Sequence, residues 1–211
     1  RGLGAYANVF ALESFMDELA AAAGADPVEF RLRHMKDSRA RAVIELAAQK
    51  AGWRAGAVSD GTAGRGIAYA QYKNGYGYLA VVIELGLEPD LHVTRAVAAV
   101  DVGQAINPDG IINQTEGGII QAISWTLKEQ VRFDRARVLT RTWEDYPILT
   151  FPEVPAVEVH LINRPDEAPL GAGETAAGPV TAAIANALHH ALGVRIRDLP
   201  ITRERITAAL A

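Results

Sequence analysis

Gly66-Ile67-Ala68-Tyr69-Ala70-Gln71-Tyr72, Lys73-Asn74-Gly75 and Tyr78-Leu79-Ala80-Val81-Val82-Ile83-Glu84 form the stretch on which the fold turns. The two outer runs are rich in β-branched and aromatic residues with no helical period, and Asn-Gly between them is a strong hairpin signal. Leu87–Asp90 supplies a further turn, and Val93–Val100 reads as a third strand.

Upstream the pattern is helical. Residues 5–23 place Leu12, Phe15, Met16, Leu19 and Ala23 on one face, and Gly24 ends the helix. Asp26-Pro27 reads as an N-cap and first helical residue, opening a helix through Phe30 and Leu32 to about Met35. Another helix is expected over Ser38–Ala51, stopping at Gly52. The small, polar stretch Ala55–Gly64 reads as a linker. It divides the chain into a helical segment, 1–54, continuing an upstream domain, and an α+β domain, 65–211.

Downstream, Asn107-Pro108 opens a helix to about Leu127, and Gly110, Gly117 and Gly118 inside it imply close packing on one face. Strands are expected near Glu129–Phe133 and Val157–Ile162, with Pro147, Pro152 and Pro155 making the intervening chain irregular. A Gly-rich loop, Leu170–Gly178, leads into a helix over Pro179–Leu192 capped by Gly193, and Thr202 with Glu204 starts a terminal helix. The sum is an α+β fold.

Composition narrows the chemistry. The 211 residues carry a formal net charge of −4 and no run of Lys or Arg, which argues against a nucleic-acid partner. No stretch approaches the about 18 apolar residues of a transmembrane helix. The absence of cysteine excludes disulfides, thiolate zinc, Cys-ligated iron–sulfur clusters and Cys nucleophiles from these residues. It leaves a cytoplasmic or periplasmic location open. The chain opens on Arg1 rather than Met, which reads as a cut edge.

Three Gly-rich segments sit at element boundaries: Arg1-Gly2-Leu3-Gly4, then Gly103-Gln104-Ala105-Ile106-Asn107-Pro108 with Gln114-Thr115-Glu116-Gly117-Gly118 and Gln121, then Leu170-Gly171-Ala172-Gly173-Glu174-Thr175. Such turns serve either as positive-φ corners or as anion sites at helix starts. None fits the dinucleotide or Walker pattern. Glu174, among glycines that admit a ligand, reads either as a partly desolvated base with a raised pKa or as a charge complementing the following helix. No histidine pair has metal-ligand spacing. His189-His190 suit a helix C-terminus. Trp53, Trp125 and Trp143 read as core or interface anchors, and the Arg195–Arg205 cluster as a solvated rim or subunit contact.

In this order and spacing the segments resemble the carboxy-terminal molybdenum-cofactor-binding region of the large subunit in the xanthine dehydrogenase / aldehyde oxidoreductase family. Gly171-Ala172-Gly173-Glu174 is similar to its Gly-x-Gly-Glu, and Asn113-Gln114-Thr115-Glu116-Gly117-Gly118-Ile119-Ile120-Gln121 to its Gly-Gln-x-Glu-Gly-x-x-x-Gln, with Asn113 in place of Gly. Asp101–Pro108 matches Asp-x-Gly-x-x-x-Asn-Pro, and Arg1-Gly2-Leu3-Gly4 the family's Arg-Gly-Phe-Gly, Leu3 standing where some members place an aromatic. Phe10–Ala20 and Asp26–Arg31 also look like family sequence, and Ala156–Asn186 and Arg195–Ile201 resemble the bacterial isoquinoline and nicotinate dehydrogenase branch.

The resemblance implies helices packed on mixed or antiparallel sheets, and a molybdenum hydroxylase that oxidises an N-heterocycle or aldehyde with oxygen from water. An aldehyde dehydrogenase of the same family and a non-catalytic assembly domain are the alternatives. It further implies Glu174 as base, Arg1 and Leu3 at the substrate pocket, and Gly2, Gln114, Gly117, Gly118, Gln121, Gly171, Ala172 and Gly173 at the cofactor. That cofactor would be molybdopterin in its cytosine-dinucleotide form, with no metal ligand from the protein. The implied partners are the upstream part of the molybdenum subunit, an iron–sulfur subunit holding the clusters, and a cytochrome or flavin acceptor. These residues alone would be inactive.

Overall fold

The computed structural model describes residues 1–211. Its elements run α1 (Leu3–Ala22), α2 (Pro27–His34), α3 (Ser38–Lys50), β1 (Ala63–Gln71), β2 (Tyr78–Gly86), β3 (His92–Asp101), α4 (Pro108–Leu127), β4 (Ala156–Ile162), α5 (Pro179–Leu192) and α6 (Arg203–Leu210). The four strands form one sheet in the order β1-β2-β3-β4, antiparallel up to β3 and parallel between β3 and β4. The hairpin forms at the expected turn, with Lys73 and Asn74 both at positive φ, a conformation that Asn tolerates better than most residues. No helix is long and apolar enough to cross a membrane.

The sheet is covered on both faces, which is why β2 is a near-continuous apolar run rather than an alternating one. Leu79, Val81 and Ile83 face a core shared with Ile119 and Ile123 of α4 and Ile184 and Leu188 of α5. Ala80 and Val82 face the other way, onto Val43, Ile44 and Ala47 of α3. The contact of α5 with the sheet depends on glycine. A Cβ on Gly66 would lie 2.3 Å from the Ala183 carbonyl oxygen and 2.3 Å from the Ala187 nitrogen. At Gly64 it would lie 2.0 Å from the Ala187 oxygen. The small residues of α5 and these two glycines bring helix and strand backbones together.

β1 has a free edge, and side chains from the flanking helices bond to it. Tyr69 N–H donates to Glu13 Oε2 at 2.9 Å, Asn186 Nδ2 donates to the Ile67 carbonyl at 3.1 Å, and Arg65 N–H donates to His190 Nδ1 at 3.3 Å. Buried backbone groups need such partners, and capping the edge removes a template for unwanted strand pairing.

Three expectations are corrected. Glu129–Phe133 is not a strand, and the region contributes only an isolated bridge from Phe133 to Val138. The apolar stripe of α1 lies outside: Leu12 and Phe15 are exposed, whereas Glu13 and Asp17 are buried. The buried face combines Phe10 and Ala20 with these two acids, because Arg31 reaches Glu13 at 2.8 Å and Arg195 reaches Asp17 at 2.8 Å beneath it. The third concerns Arg195, which is thereby an internal tie and not a solvated rim.

Candidate functional site

The three Gly-rich segments, far apart in sequence, meet at one end of the sheet. The loop after β3 is built first. Asp101, wholly buried, accepts from Arg39 Nη2 at 2.5 Å, Arg164 Nε at 2.5 Å and Gly103 N–H at 3.0 Å. Burial alone raises its carboxyl pKa, but the two guanidiniums and the Gly103 amide outweigh that and hold it below the usual carboxylate range. Gly103 sits at φ +72°, and a Cβ there would lie 2.1 Å from the Ala168 oxygen, so glycine is required. Leu170 N–H bonds the Val102 carbonyl at 2.7 Å, fastening this loop to the one that carries Glu174. Asn107 then caps α4, accepting from Gly110 N–H at 2.9 Å.

The second loop is closed by the β1–β2 turn. Gly77 N–H donates to the Gly171 carbonyl at 3.1 Å, and a Cβ on Gly77 would lie 2.6 Å from Thr175 Cγ2. Glu174 is half-buried, and both of its oxygens are engaged. Gly2 N–H donates to Oε1 at 2.7 Å and the Tyr72 hydroxyl donates to Oε2 at 2.7 Å. The Gly2 amide first, then the Tyr72 hydroxyl, and more weakly the charge of Lys73, hold the Glu174 pKa below its ordinary value. A raised pKa is one of the two readings open from the sequence. The correction has a simple cause: bonds to the charged form outweigh the partial burial.

A cleft of about 540 Å³ opens in front of Glu174, lined by Arg1, Gln104, Asn107, Gln114, Ala172 and Gly173 among others. A second hollow of about 520 Å³ shares Arg1 and Gln114 and runs along α4 past Gly117 and Gln121 to Trp125, Trp143 and Tyr146. Gln114 Nε2 donates to the Gly173 carbonyl at 2.9 Å, joining α4 to the Glu174 loop. Arg1, Gln114, Gly117, Gln121, Ala172, Gly173 and Glu174 therefore border one continuous trough.

Other expected residues lie elsewhere or act in packing. Gly2 is buried beneath the site at φ +88° and meets Glu174 through its amide. Gly118 packs under the trough, where a Cβ would lie 3.2 Å from that of Ala176, and Gly171 packs on Tyr76. Leu3, 73% exposed, lines neither hollow and borders a separate groove with Tyr6, Trp125 and Pro200. Sequence reading missed Tyr72, which is separated from Glu174 by 102 positions and belongs to no Gly-rich segment. At the far end of α5, His189 has its pKa lowered by burial and by Arg195, so the helix C-terminus does not hold it charged as expected.

Residues 3–155 match the molybdopterin cofactor-binding domain family. This chain belongs to that family. It is 45% identical, over its whole length, to a subunit of the nicotinate dehydrogenase of Pseudomonas putida, and it covers 19% of that protein. It is 37% identical over 95% of its length to the beta subunit of the isoquinoline 1-oxidoreductase of Brevundimonas diminuta, of which it covers 26%. The chain thus spans about a fifth to a quarter of these relatives. Among solved structures, quinoline 2-oxidoreductase from Pseudomonas putida 86 matches 64% of this chain and 18% of its own with TM-score 0.57 and 34% identity. Aldehyde oxidoreductase from Desulfovibrio gigas covers all of it, and 41% of its own chain, with TM-score 0.79 at 16% identity, a likeness of fold.

The trough suits the family's cofactor. A Cβ built on Gly117 or Gly173 would meet nothing within 4 Å, so a ligand can approach both backbones from the open side. The planar amides of Gln104, Gln114 and Gln121 offer donors and acceptors of the kind a fused heterocycle requires. No group of acidic or His side chains could hold a metal ion directly.

Proposed function

We propose that this chain is part of a molybdenum hydroxylase that oxidises an N-heteroaromatic substrate with oxygen from water, and that Glu174 is its base. The observation that carries the reading is the Glu174 carboxylate, fixed by two hydrogen bonds and kept ionised, at the wall of a trough whose other side is family cofactor-binding sequence. Likeness to the nicotinate and isoquinoline enzymes favours an N-heterocycle over an aldehyde, since the aldehyde oxidoreductase relative PaoC is 28% identical. Net turnover converts a ring C–H and water into C–OH, two electrons and two protons.

The molybdenum cofactor, in our reading the cytosine-dinucleotide form, supplies the two-electron oxidation when bound. Gln114, Gln121, Gly117, Ala172 and Gly173 would hold it, with Gly2, Gly118 and Gly171 shaping the backbone beneath. Glu174 accepts the proton that the water oxygen loses as it becomes a nucleophile. Because its pKa is lowered, it is ready to do so throughout the neutral range. Arg1, at the mouth of the trough, steadies negative charge developing on the ring. Leu3 borders the groove beside it and narrows the approach of substrate. With no cysteine in these residues, the electrons leave through an iron–sulfur subunit to a flavin or cytochrome acceptor, and the rest of the molybdenum subunit completes the pocket.

The test is Glu174→Gln in the complete enzyme. Turnover of nicotinate or isoquinoline is expected to fall by roughly 10²–10⁴ with molybdenum content retained. Loss of less than about twofold would remove the base assignment.

A further inference from the structure

We infer that Tyr72 is the positioning residue that aims the Glu174 carboxylate and sets the pH at which it becomes available as a base. This rests on the reading of Glu174 given above and adds a device that the Gly-rich segments do not contain. The Tyr72 hydroxyl donates to Glu174 Oε2 at 2.7 Å while Gly2 N–H holds Oε1, so the carboxylate is gripped at both oxygens and cannot rotate freely. Tyr72 itself is buried and absent from the lining of the cleft. It therefore reaches Glu174 from behind, leaving the cleft side of the carboxylate to substrate.

Its own placement is rigid. It follows β1 directly and starts the tight turn Tyr72–Asn74, its N–H donates to the Gly77 carbonyl at 3.0 Å, and its ring lies against Tyr76 with centroids 5.9 Å apart. A phenol held in this way presents a fixed O–H dipole, which favours the charged form of the carboxyl it bonds. The reciprocal effect appears on Tyr72: burial first, then the bond to Glu174, raise the phenol pKa, so Tyr72 stays a donor through the neutral range.

The other charged groups facing the site are few. Lys73 comes from the same turn, its ammonium 5.2 Å from the Tyr72 ring centroid, and Arg1 comes from the residues ahead of α1. On α4 the facing residue is neutral Gln114, and Tyr76 packs on Gly171. Of these charges, that of Lys73 adds to the hydrogen bonds in favouring the carboxylate. The hydroxyl bond is thus the one feature among these that a single-atom change removes without altering net charge.

The experiment uses the complete holoenzyme with nicotinate and isoquinoline as probes, and follows kcat and kcat/KM against pH for wild type, Glu174→Gln, Tyr72→Phe and Tyr72→3,5-difluorotyrosine. With the hydroxyl gone, Glu174 loses a bond to its charged form, so the acidic limb for Tyr72→Phe moves to higher pH and kcat on the acidic side falls roughly tenfold. KM stays within about twofold, because Tyr72 does not line the cleft. The fluorinated phenol is a stronger donor and moves the limb the opposite way, a response that packing alone does not give. If Glu174→Gln is inactive while both Tyr72 variants superpose on wild type, the inference fails and the base assignment stands. If Glu174→Gln turns over normally, the base assignment fails and takes this inference with it. A Tyr72→Phe protein that loses its molybdenum or misfolds leaves the decision to the fluorinated variant, whose unchanged profile would overturn the inference.

Discussion

Asp101→Asn tests whether the cleft loop is held by charge. Asp101 has no exposed surface and accepts from two guanidiniums and one amide. Removing one member of a buried ion pair costs about 3–5 kcal/mol. Here the Arg39 and Arg164 side chains are 16% and 31% exposed, so water recovers part of the loss, and Asn keeps one acceptor oxygen. About 2–3 kcal/mol remains. At about 2–4 °C per kcal/mol for a chain of this size, the melting temperature falls by roughly 4–12 °C. The sign with pH follows from the lowered pKa. Asp101 contributes fully above the unfolded-state value of about 3.9, and its contribution is lost as pH falls through the still lower folded value. The gap between wild type and variant should be constant across neutral pH and close below about pH 4. Thermal melts across pH measure it. A variant melting within about 1 °C of wild type at neutral pH, or a gap indifferent to acid, would refute the reasoning.

Gly66→Ala drives a methyl into the backbone of α5, 2.3 Å from Ala183 O and Ala187 N, with no flexible side chain to yield. The expected loss is about 3 kcal/mol or more, read from denaturant unfolding. Gly117→Ala meets nothing within 4 Å and is expected to gain up to about 1 kcal/mol of helix stability. Gly117→Leu should melt no lower than wild type yet purify with less molybdenum, because its side chain projects into the trough; undiminished metal content would show that the cofactor does not approach α4 there.

Much of this architecture is legible from local sequence. The hairpin is announced by Lys73-Asn74-Gly75, and the starts of α2, α4 and α5 by Asp26-Pro27, Asn107-Pro108 and Gly178-Pro179, because caps and N1 prolines act within one turn of chain. Gly118 fits the expectation of a close approach on α4, to Ala176, whereas Gly110 serves its own cap and Gly117 faces open space. Tyr72 is illegible, since its hydroxyl finds Glu174 only after the sheet has brought the turn beside the Gly171 loop. So is the direction of the Glu174 pKa, which depends on a backbone amide 172 positions away. Glu129–Phe133 alternates like a strand but has no continuous partner strand, and strand propensity without one yields only the bridge from Phe133 to Val138.

The reversal of α1 shows how stability and site are coupled. Apolar periodicity places Leu12, Phe15 and Leu19 inward, but the surface beneath α1 is the free edge of β1 together with Arg31 and Arg195. An apolar face there would leave the Tyr69 amide and Arg31 Nε without acceptors and Arg195 without its carboxylate partner, at a cost of about 1–3 kcal/mol for each neutral group and more for each charge. Glu13 and Asp17 meet these needs instead: Glu13 bonds Arg31 Nε and the Tyr69 amide, and Asp17 forms an ion pair with Arg195, whose Nη1 donates to Asn186 at 3.1 Å. α1 is therefore pinned at Glu13, about 16 Å from Gly2 at 1.5 Å of rise per residue, by hydrogen bonds that add strict geometry to the packing of Phe10 and Ala20. The same helix is preceded directly by Gly2, whose amide grips Glu174. Tilting α1 about the Glu13 anchor by a few degrees displaces that amide by about 1 Å, enough to break a 2.7 Å hydrogen bond and misaim the carboxylate. The buried charges of α1 thus serve the carboxylate at the opposite end of the helix, and their strictness is what a purely apolar α1 would lack.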